Sequence, residues 1–256
     1  MPVLLLFLCL FRPAMGEEIK FTDTDALAVI KVVDERQQNS GDYTSLCYVK
    51  ETERKKEPKV FQVIVYRRDA DDKIIIFFTK PKEEAGKGYL KIDKNLWLFD
   101  PNTGKWERRT ERERIGGTNS RREDFDESRL ALEYTVTAEG TDKLGDYKVF
   151  KTKLVAKEGV DVAYPVLKIW IDQASKNILK REEYSLSGKL MRTSYYPKWM
   201  KKFSPSKKAE VWIPEEIRIF DELEKGNSTI ILIKETDLNN IDSSIFTKAW
   251  IESKSK

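Results

Sequence analysis

Histidine is absent from all 256 residues. That absence removes His-based catalytic triads, the common His-ligated metal sites and the usual pH switch. Cysteine is nearly absent, occurring only as Cys9 and Cys47. If Cys9 leaves with a processed leader, no internal disulfide can form even in an oxidising compartment, and Cys47 reads as a small strand residue. An excess of one charge is missing too: 47 basic against 43 acidic side chains leave a net charge of +4. The chain carries no strong nucleic-acid footprint, and its abundant charges read as a solvated surface. Long apolar runs are lacking as well, since VLLLFLCLF at residues 3–11 is too short to span a bilayer. Ala14-Met15-Gly16 follows it with small residues where a signal peptidase reads. Residues 1–16 are therefore expected to be a secretory signal cleaved after Gly16, although Met1-Pro2 lacks the usual basic n-region. Leu8 is large where a lipobox before Cys9 would need a small residue.

What is present centres on residues 94–109, KNLWLFDPNTGKWERR. Four consecutive apolar residues precede Asp100-Pro101-Asn102-Thr103-Gly104, which has the composition of a tight reversal, so the stretch reads as a β-hairpin. Alternation puts Leu96 and Leu98 on one face and Trp97 and Phe99 on the other. Both faces need cover, which a helix, a second sheet or a ligand could supply.

Upstream, Thr24 or Asp25 can cap a helix from Ala26 to about Gln38, with Ala26, Leu27, Ile30 and Val33 at helical spacing. From residue 43 strand signals follow closely: 43–53, 59–68, 73–79, 88–93, 95–100 and 105–110 form one antiparallel meander. Phe61, Val63 and Val65 share one face there, as do Leu90 and Ile92. Residues 111–134 interrupt the pattern with charges, Gly116-Gly117 and a helical stretch near Arg129. An excursion of that length is characteristic of a lid or of a solvated loop. Its arginines alternate with glutamates and read as a solvated face. Strands then resume at 146–157, 166–171, 178–185, 189–196, 211–220 and 229–235, and residues 242–251 suit a short helix. Leu167, Ile169 and Ile171 face one way in the second meander. No serine, aspartate or lysine sits in a nucleophile motif, so no catalytic residue is assigned.

This order of pieces, together with Asn95-Leu96-Trp97-Leu98-Phe99-Asp100-Pro101, resembles the LolA-like family of bacterial periplasmic lipoprotein-sorting proteins over nearly all of residues 17–256. In the similar branch the insert carries Gly-Ser-Asp-Phe and then Asp-Leu. Here Asp124, Phe125 and Leu130 match, while Arg122, Glu123 and Arg129 stand where the family has glycine, serine and aspartate. The resemblance implies a mainly β (α+β) single domain, an unclosed antiparallel β-barrel of about eleven strands whose concave apolar face short helices cover. It implies a periplasmic carrier that holds acyl chains of lipoproteins or lipids and ferries them from the inner towards the outer membrane, without cofactor or metal. Its partners would be an inner-membrane ABC transporter and an outer-membrane acceptor, with no nucleic acid and only transient membrane contact. On this reading Phe61, Val63, Val65, Leu90, Ile92, Leu96, Trp97, Leu98, Phe99, Ile169 and Ile171 line the cavity. Ala26, Leu27, Ile30, Val33 and Phe125 belong to the lid, and Arg67 or Arg68 is the candidate for the arginine that holds the family's lid closed. Two other classes stay open: an extracytoplasmic lipid-acting enzyme working without histidine, and a non-lipid interaction module whose interior its own side chains fill.

Overall fold

The structure is a computed structural model that describes residues 20–38, 41–110, 113–125 and 128–255, so the expected secretory signal lies outside the described residues. The chain runs α1 (Asp23–Gln38), β1 (Tyr43–Thr52), β2 (Lys59–Arg68), β3 (Lys73–Lys80), β4 (Gly88–Ile92), β5 (Asn95–Asp100) and β6 (Lys105–Arg109). After an insert come α2 (Leu130–Glu133), β7 (Tyr134–Leu144), β8 (Tyr147–Ala156), β9 (Val166–Asp172), β10 (Ile178–Tyr184), β11 (Leu190–Ser204), β12 (Ala209–Asp221), β13 (Ser228–Asp237) and α3 (Lys248–Lys254).

Among the described residues thirteen strands form one sheet in the order β6-β5-β4-β3-β2-β1-β13-β12-β11-β10-β9-β8-β7. The first meander runs outward from the centre, the second returns to it, and antiparallel pairing of β1 with β13 joins them. The open, mainly β architecture agrees with the expectation, with thirteen strands in place of about eleven. Consecutive strands β6 and β7 are the two opposite edges of the sheet. The insert between them must therefore travel from one edge to the other, and it does so across the concave face.

Strand β7 was not expected from the sequence. Tyr134 and Val136 are buried, but Thr135 and most residues beyond Ala138 are exposed or half-buried, as suits an edge strand. Strand β11 also runs eight residues past Tyr196, through Pro197, where its register against β12 shifts twice. Shifts of this kind are how a strand accommodates a proline that cannot donate to the ladder.

Helix α1 starts earlier than Thr24 or Asp25 would place it. Thr22 caps it: the Asp25 amide donates to Thr22 Oγ1 (3.3 Å), and the Thr22 amide donates back to Asp25 Oδ2 (2.9 Å). This reciprocal pair satisfies donors that the first turn leaves free. Ala26, Val29, Ile30 and Val33 are buried against Tyr134, Val136, Leu154, Leu167, Ile169 and Ile171, with Leu27 packed at the margin. Burying Ile30 completely contributes about 1.5–3 kcal/mol before ordering costs.

The hairpin that is apolar on both faces has two separate covers. Leu96 and Leu98 join a core of Phe61, Val63, Val65, Ile74, Ile76 and Phe78, closed by Ile115 and Phe125 of the insert. On the convex side Phe99, with Ile75, Phe77 and Leu90, packs under Phe246 and Ile251 of the C-terminal segment. The Lys248 ammonium sits 5.3 Å from the Trp97 ring centre, and the Trp106 indole N–H donates to Glu252 Oε1 (2.6 Å). A Cβ on Gly88 would stand 2.7 Å from Ile251 Cγ2, so glycine there is what lets α3 reach the sheet.

Candidate functional site

Between the concave face, α1 and the insert lies a cavity of about 560 Å³. That volume falls within the roughly 300–1,000 Å³ of small-molecule sites. One wall follows from register: Val49 faces Phe61, Cys47 faces Val63 and Val63 faces Phe78, while Ser45 faces Val65 and Val65 faces Ile76. Across the central seam Cys47 pairs with Ile233, Val49 with Ile231, and Ile231 with Ile217. All of these side chains line the cavity and make a continuous, mostly apolar lane. Burial pushes the Cys47 thiol up to about 12, so it lies in this wall as an inert apolar group.

The described residues of the insert, 113–125 and 128–133, form the opposite wall, and a series of polar contacts pins them. At its tip the Gly116 amide donates to the Tyr89 hydroxyl (3.0 Å). Gly116 has φ +59°, and a Cβ there would meet Phe78 Cζ at 2.8 Å, so both conformation and space require glycine. Next, the Asn119 amide donates to Thr229 Oγ1 (2.8 Å) and its side chain to Glu51 Oε1 (3.2 Å). Arg67, held by Asp69, donates to the Phe125 carbonyl (2.9 Å), whereas Arg68 donates to the Ile241 carbonyl (2.9 Å) near the C-terminal segment. Of the two candidates, Arg67 is the one that touches the insert. Asp34 on α1 accepts from Ser128 Oγ (2.6 Å), the Leu130 amide (2.9 Å) and the Ala131 amide (2.7 Å), tying α1 to the insert's end.

The strongest tie is Arg192 on β11. It pairs with Asp124 of the insert (2.6 Å) and with Glu183 on β10, both as hydrogen-bonded ion pairs. Burial alone would raise the Asp124 carboxyl, but the charge and hydrogen bonds of Arg192 hold it below the usual carboxylate range. Burial likewise opposes the Arg192 cation, and the two carboxylates override it, keeping its pKa well above the ordinary value. Tyr134, Tyr164 and Tyr196 border the same region as neutral hydroxyls, each pushed by burial up to about 12.

Glu123 is different. Burial first, then the Asp124 charge beside it, push its carboxyl up to about 7, against the pull of Arg192 and Arg121. Its Oε1 is buried without a hydrogen-bond partner among the described residues. Between its ordinary 4.5 and about 7 the folded protein keeps a proton that the unfolded chain has lost, so this group makes stability fall as pH rises through that window. Glu123→Gln is therefore expected to raise the melting temperature more at pH 8 than at pH 5. Thermal unfolding of both proteins at the two pH values checks it, and an equal effect at each would show that Glu123 ionises normally.

The expected lining residues divide by face. Phe61, Val63 and Val65 line the cavity, and so do two residues expected in the lid, Phe125 of the insert and Val33 of α1. Leu96 and Leu98 lie on the concave side but within the neighbouring core. Leu90, Ile92, Trp97 and Phe99 are corrected to the convex face, because Leu90 pairs with Trp97 while Lys91 pairs with Leu96. Lys91 thus points inward, only 2% exposed, with its ammonium on Asp72 (2.7 Å). Ile169 and Ile171 are also moved: both are fully buried beneath α1 and do not line the cavity. Ala26, Leu27 and Ile30 belong to that same packed layer, so α1 is a fixed cover over β7 to β9 that reaches the cavity with Val33 and Arg36. Arg122 is buried and lines the cavity, against the expectation that the insert's arginines form a solvated face; Arg112 lies outside the described residues. Arg181, Arg192 and Tyr196 went unnoticed in the sequence, since nothing in REEYS or MRTSYY distinguishes them from solvated strand positions.

Among the described residues no helix is long and apolar enough to cross a membrane, and no group of three or more cysteine or carboxylate side chains could hold a metal ion. Several solved structures share the fold. A putative outer membrane lipoprotein-sorting protein domain from Vibrio parahaemolyticus is 16% identical, with a TM-score of 0.77 over 90% of this chain and 99% of that one. A LolA superfamily protein from Nitrosomonas europaea is 20% identical, with a TM-score of 0.70 over 88% and 98%. A DUF1329 family protein from Desulfovibrio piger is 15% identical, with a TM-score of 0.77 over 89% and 98%. At these identities the likeness speaks for the fold. No curated protein matches the sequence. A family model described as that of an uncharacterized protein matches residues 70–253, from the turn after β2 through nearly all of α3. The chain belongs to the family of that model, and its fold is the LolA-like one.

Proposed function

We propose that the protein is an extracytoplasmic carrier that shelters acyl chains of a lipid or lipoprotein in the cavity and performs no chemistry on them. The observation that carries this reading is the continuous lane of Val49, Cys47, Phe61, Val63, Val65, Ile231 and Ile233 beside about 560 Å³ of unfilled space. Each methylene taken from water into such a wall is favoured by about 0.8 kcal/mol. A module whose interior its own side chains fill would leave no such space. The lipoprotein-sorting description of a structure with the same fold is consistent with transit between two membranes, and with a membrane donor and an outer-membrane acceptor as partners.

The direct test is lipid extraction and native mass spectrometry of protein purified from a cell, with acyl compounds expected to travel with it. A fluorescent acyl probe should bind the emptied protein and be displaced by lipid. Val63→Asp places an unpaired carboxylate in the lane and is expected to weaken the probe by a factor of ten or more, which is about 1.4 kcal/mol or greater. Circular dichroism must show the variant folded. Undiminished probe binding by folded Val63→Asp would remove the cavity from the mechanism.

A further inference from the structure

The cavity has a polar end, where two arginines on adjacent strands are in opposite situations. Arg192 is saturated: its Nε donates to Glu183, Nη1 to Asp124 (2.8 Å) and the Asn119 carbonyl (3.2 Å), and Nη2 to Asp124 (2.6 Å) and Glu183 (2.9 Å). Those five bonds use all the donors that a guanidinium has. They also engage every oxygen of Asp124 and Glu183.

Arg181 is left over. Its Nε approaches Glu183 Oε1 at 2.9 Å as an ion pair, yet that nitrogen is buried without a hydrogen bond. Its two terminal nitrogens make none among the described residues, although the side chain lines the cavity. Local backbone puts it there. The register of β10 against β9 shifts between Ile178 and Lys180, leaving Leu179 as an extra residue. Ile178 therefore packs inward in the core under α1, Leu179 packs outward beside Trp170, and Arg181 returns to the concave side opposite Ile169. Without that bulge Ile178 and Arg181 could not both face the concave side, and bulges commonly re-aim side chains at sites.

A planar cation with unused donors at one end of an apolar lane is matched by a molecule that has an apolar tail and an anionic head. We infer that Arg181 is the anchor for the head of the bound acyl ligand, taking a carboxylate or phosphate through its terminal N–H groups while the chain lies along Val49, Val63 and Ile231. The assignment rests on the acyl-carrier reading and narrows it to anionic amphiphiles.

The test titrates delipidated protein with three ligands sharing one chain, oleate, oleoyl lysophosphatidate and oleyl alcohol, each below its aggregation concentration and in competition with a neutral acyl probe. The wild type should hold at least one of the anionic ligands about tenfold or more tighter than the alcohol, the scale of one charged hydrogen bond. The tighter of the two identifies the head as carboxylate or phosphate. Arg181→Gln should reduce that preference to near unity, and Arg181→Lys should keep part of it. Equal binding of all three ligands by the wild type would overturn the anchor and leave the carrier standing. So would an undiminished anionic preference in folded Arg181→Gln. Binding of none of the three would remove both readings. If Arg181→Gln does not fold, the wild-type preference and its partial retention in Arg181→Lys still decide the matter.

Discussion

Arg192→Leu is expected to destabilise the protein by about 3–5 kcal/mol, because it leaves the fully buried Glu183 with Arg181 as its remaining cation and takes from Asp124 of the insert its charged partner. Glu183 is fully buried, and the Arg192 side chain is 5% exposed. For a domain of this size that loss corresponds to a fall in melting temperature of roughly 6–20 °C, read from thermal unfolding at neutral pH. The damage should also be local. Asp124 is the insert's tie to β11, so amide exchange in residues 113–125 should accelerate in the variant more than in β1 to β3. Replacing Arg181, Arg192, Asp124 and Glu183 together by apolar residues should restore much of the loss, since the penalty arises from unpaired charge and not from the ion pairs' intrinsic worth. A drop below about 1 °C for Arg192→Leu alone would show that water reaches this cluster and that the insert is not pinned there.

Ile251→Ala is expected to cost about 2–5 kcal/mol, the range for truncating a buried aliphatic side chain whose surroundings cannot collapse. Ile251 is completely buried and fits against Gly88, with Ile75, Phe77, Leu90 and Phe99 in the same cluster. The effect should appear as a lower urea midpoint. Because this cluster lies on the convex face, the folded fraction should bind the acyl probe as the wild type does. That combination separates the two faces of one sheet: a loss of probe affinity matching the loss of stability would mean that the convex layer also shapes the cavity.

Much of the architecture was legible from short-range patterning. The limits of β2 and β5, the hairpin reversal at Asp100–Gly104 and the helical tendency near the C-terminus follow from alternation, turn chemistry and helical spacing, which act over a few residues. The resemblance carried by LWLFDP and by the order of the two meanders led to the open sheet. Even the partition of Leu96 and Leu98 from Trp97 and Phe99 was readable, since strand geometry alone imposes it.

What period two cannot supply is which side of the sheet is inside. Both sides of β3 to β5 are covered here, the concave one by the insert and the convex one by α3, so an apolar set carries no label for its face. Leu90 and Ile92 therefore read like Leu96 in the sequence, and only the pairing of Leu90 with Trp97 separates them. Lys91 has the sequence of a solvated position but lies inside because Asp72, from the preceding turn, meets its ammonium. Strand β7 escaped notice because one edge of it needs no partner and much of it stays wet. The polar end of the cavity was the least visible part. Arg181, Glu183, Arg192 and Asp124 come from two strands and the insert, and no spacing in the chain marks them as neighbours. The sequence by itself thus determined the strands, the turns and the helical ends, whose causes are local. The tertiary structure alone decided the cavity wall and its arginines, because register between strands, a single bulge at Leu179 and an insert crossing from edge to edge are relations between distant residues.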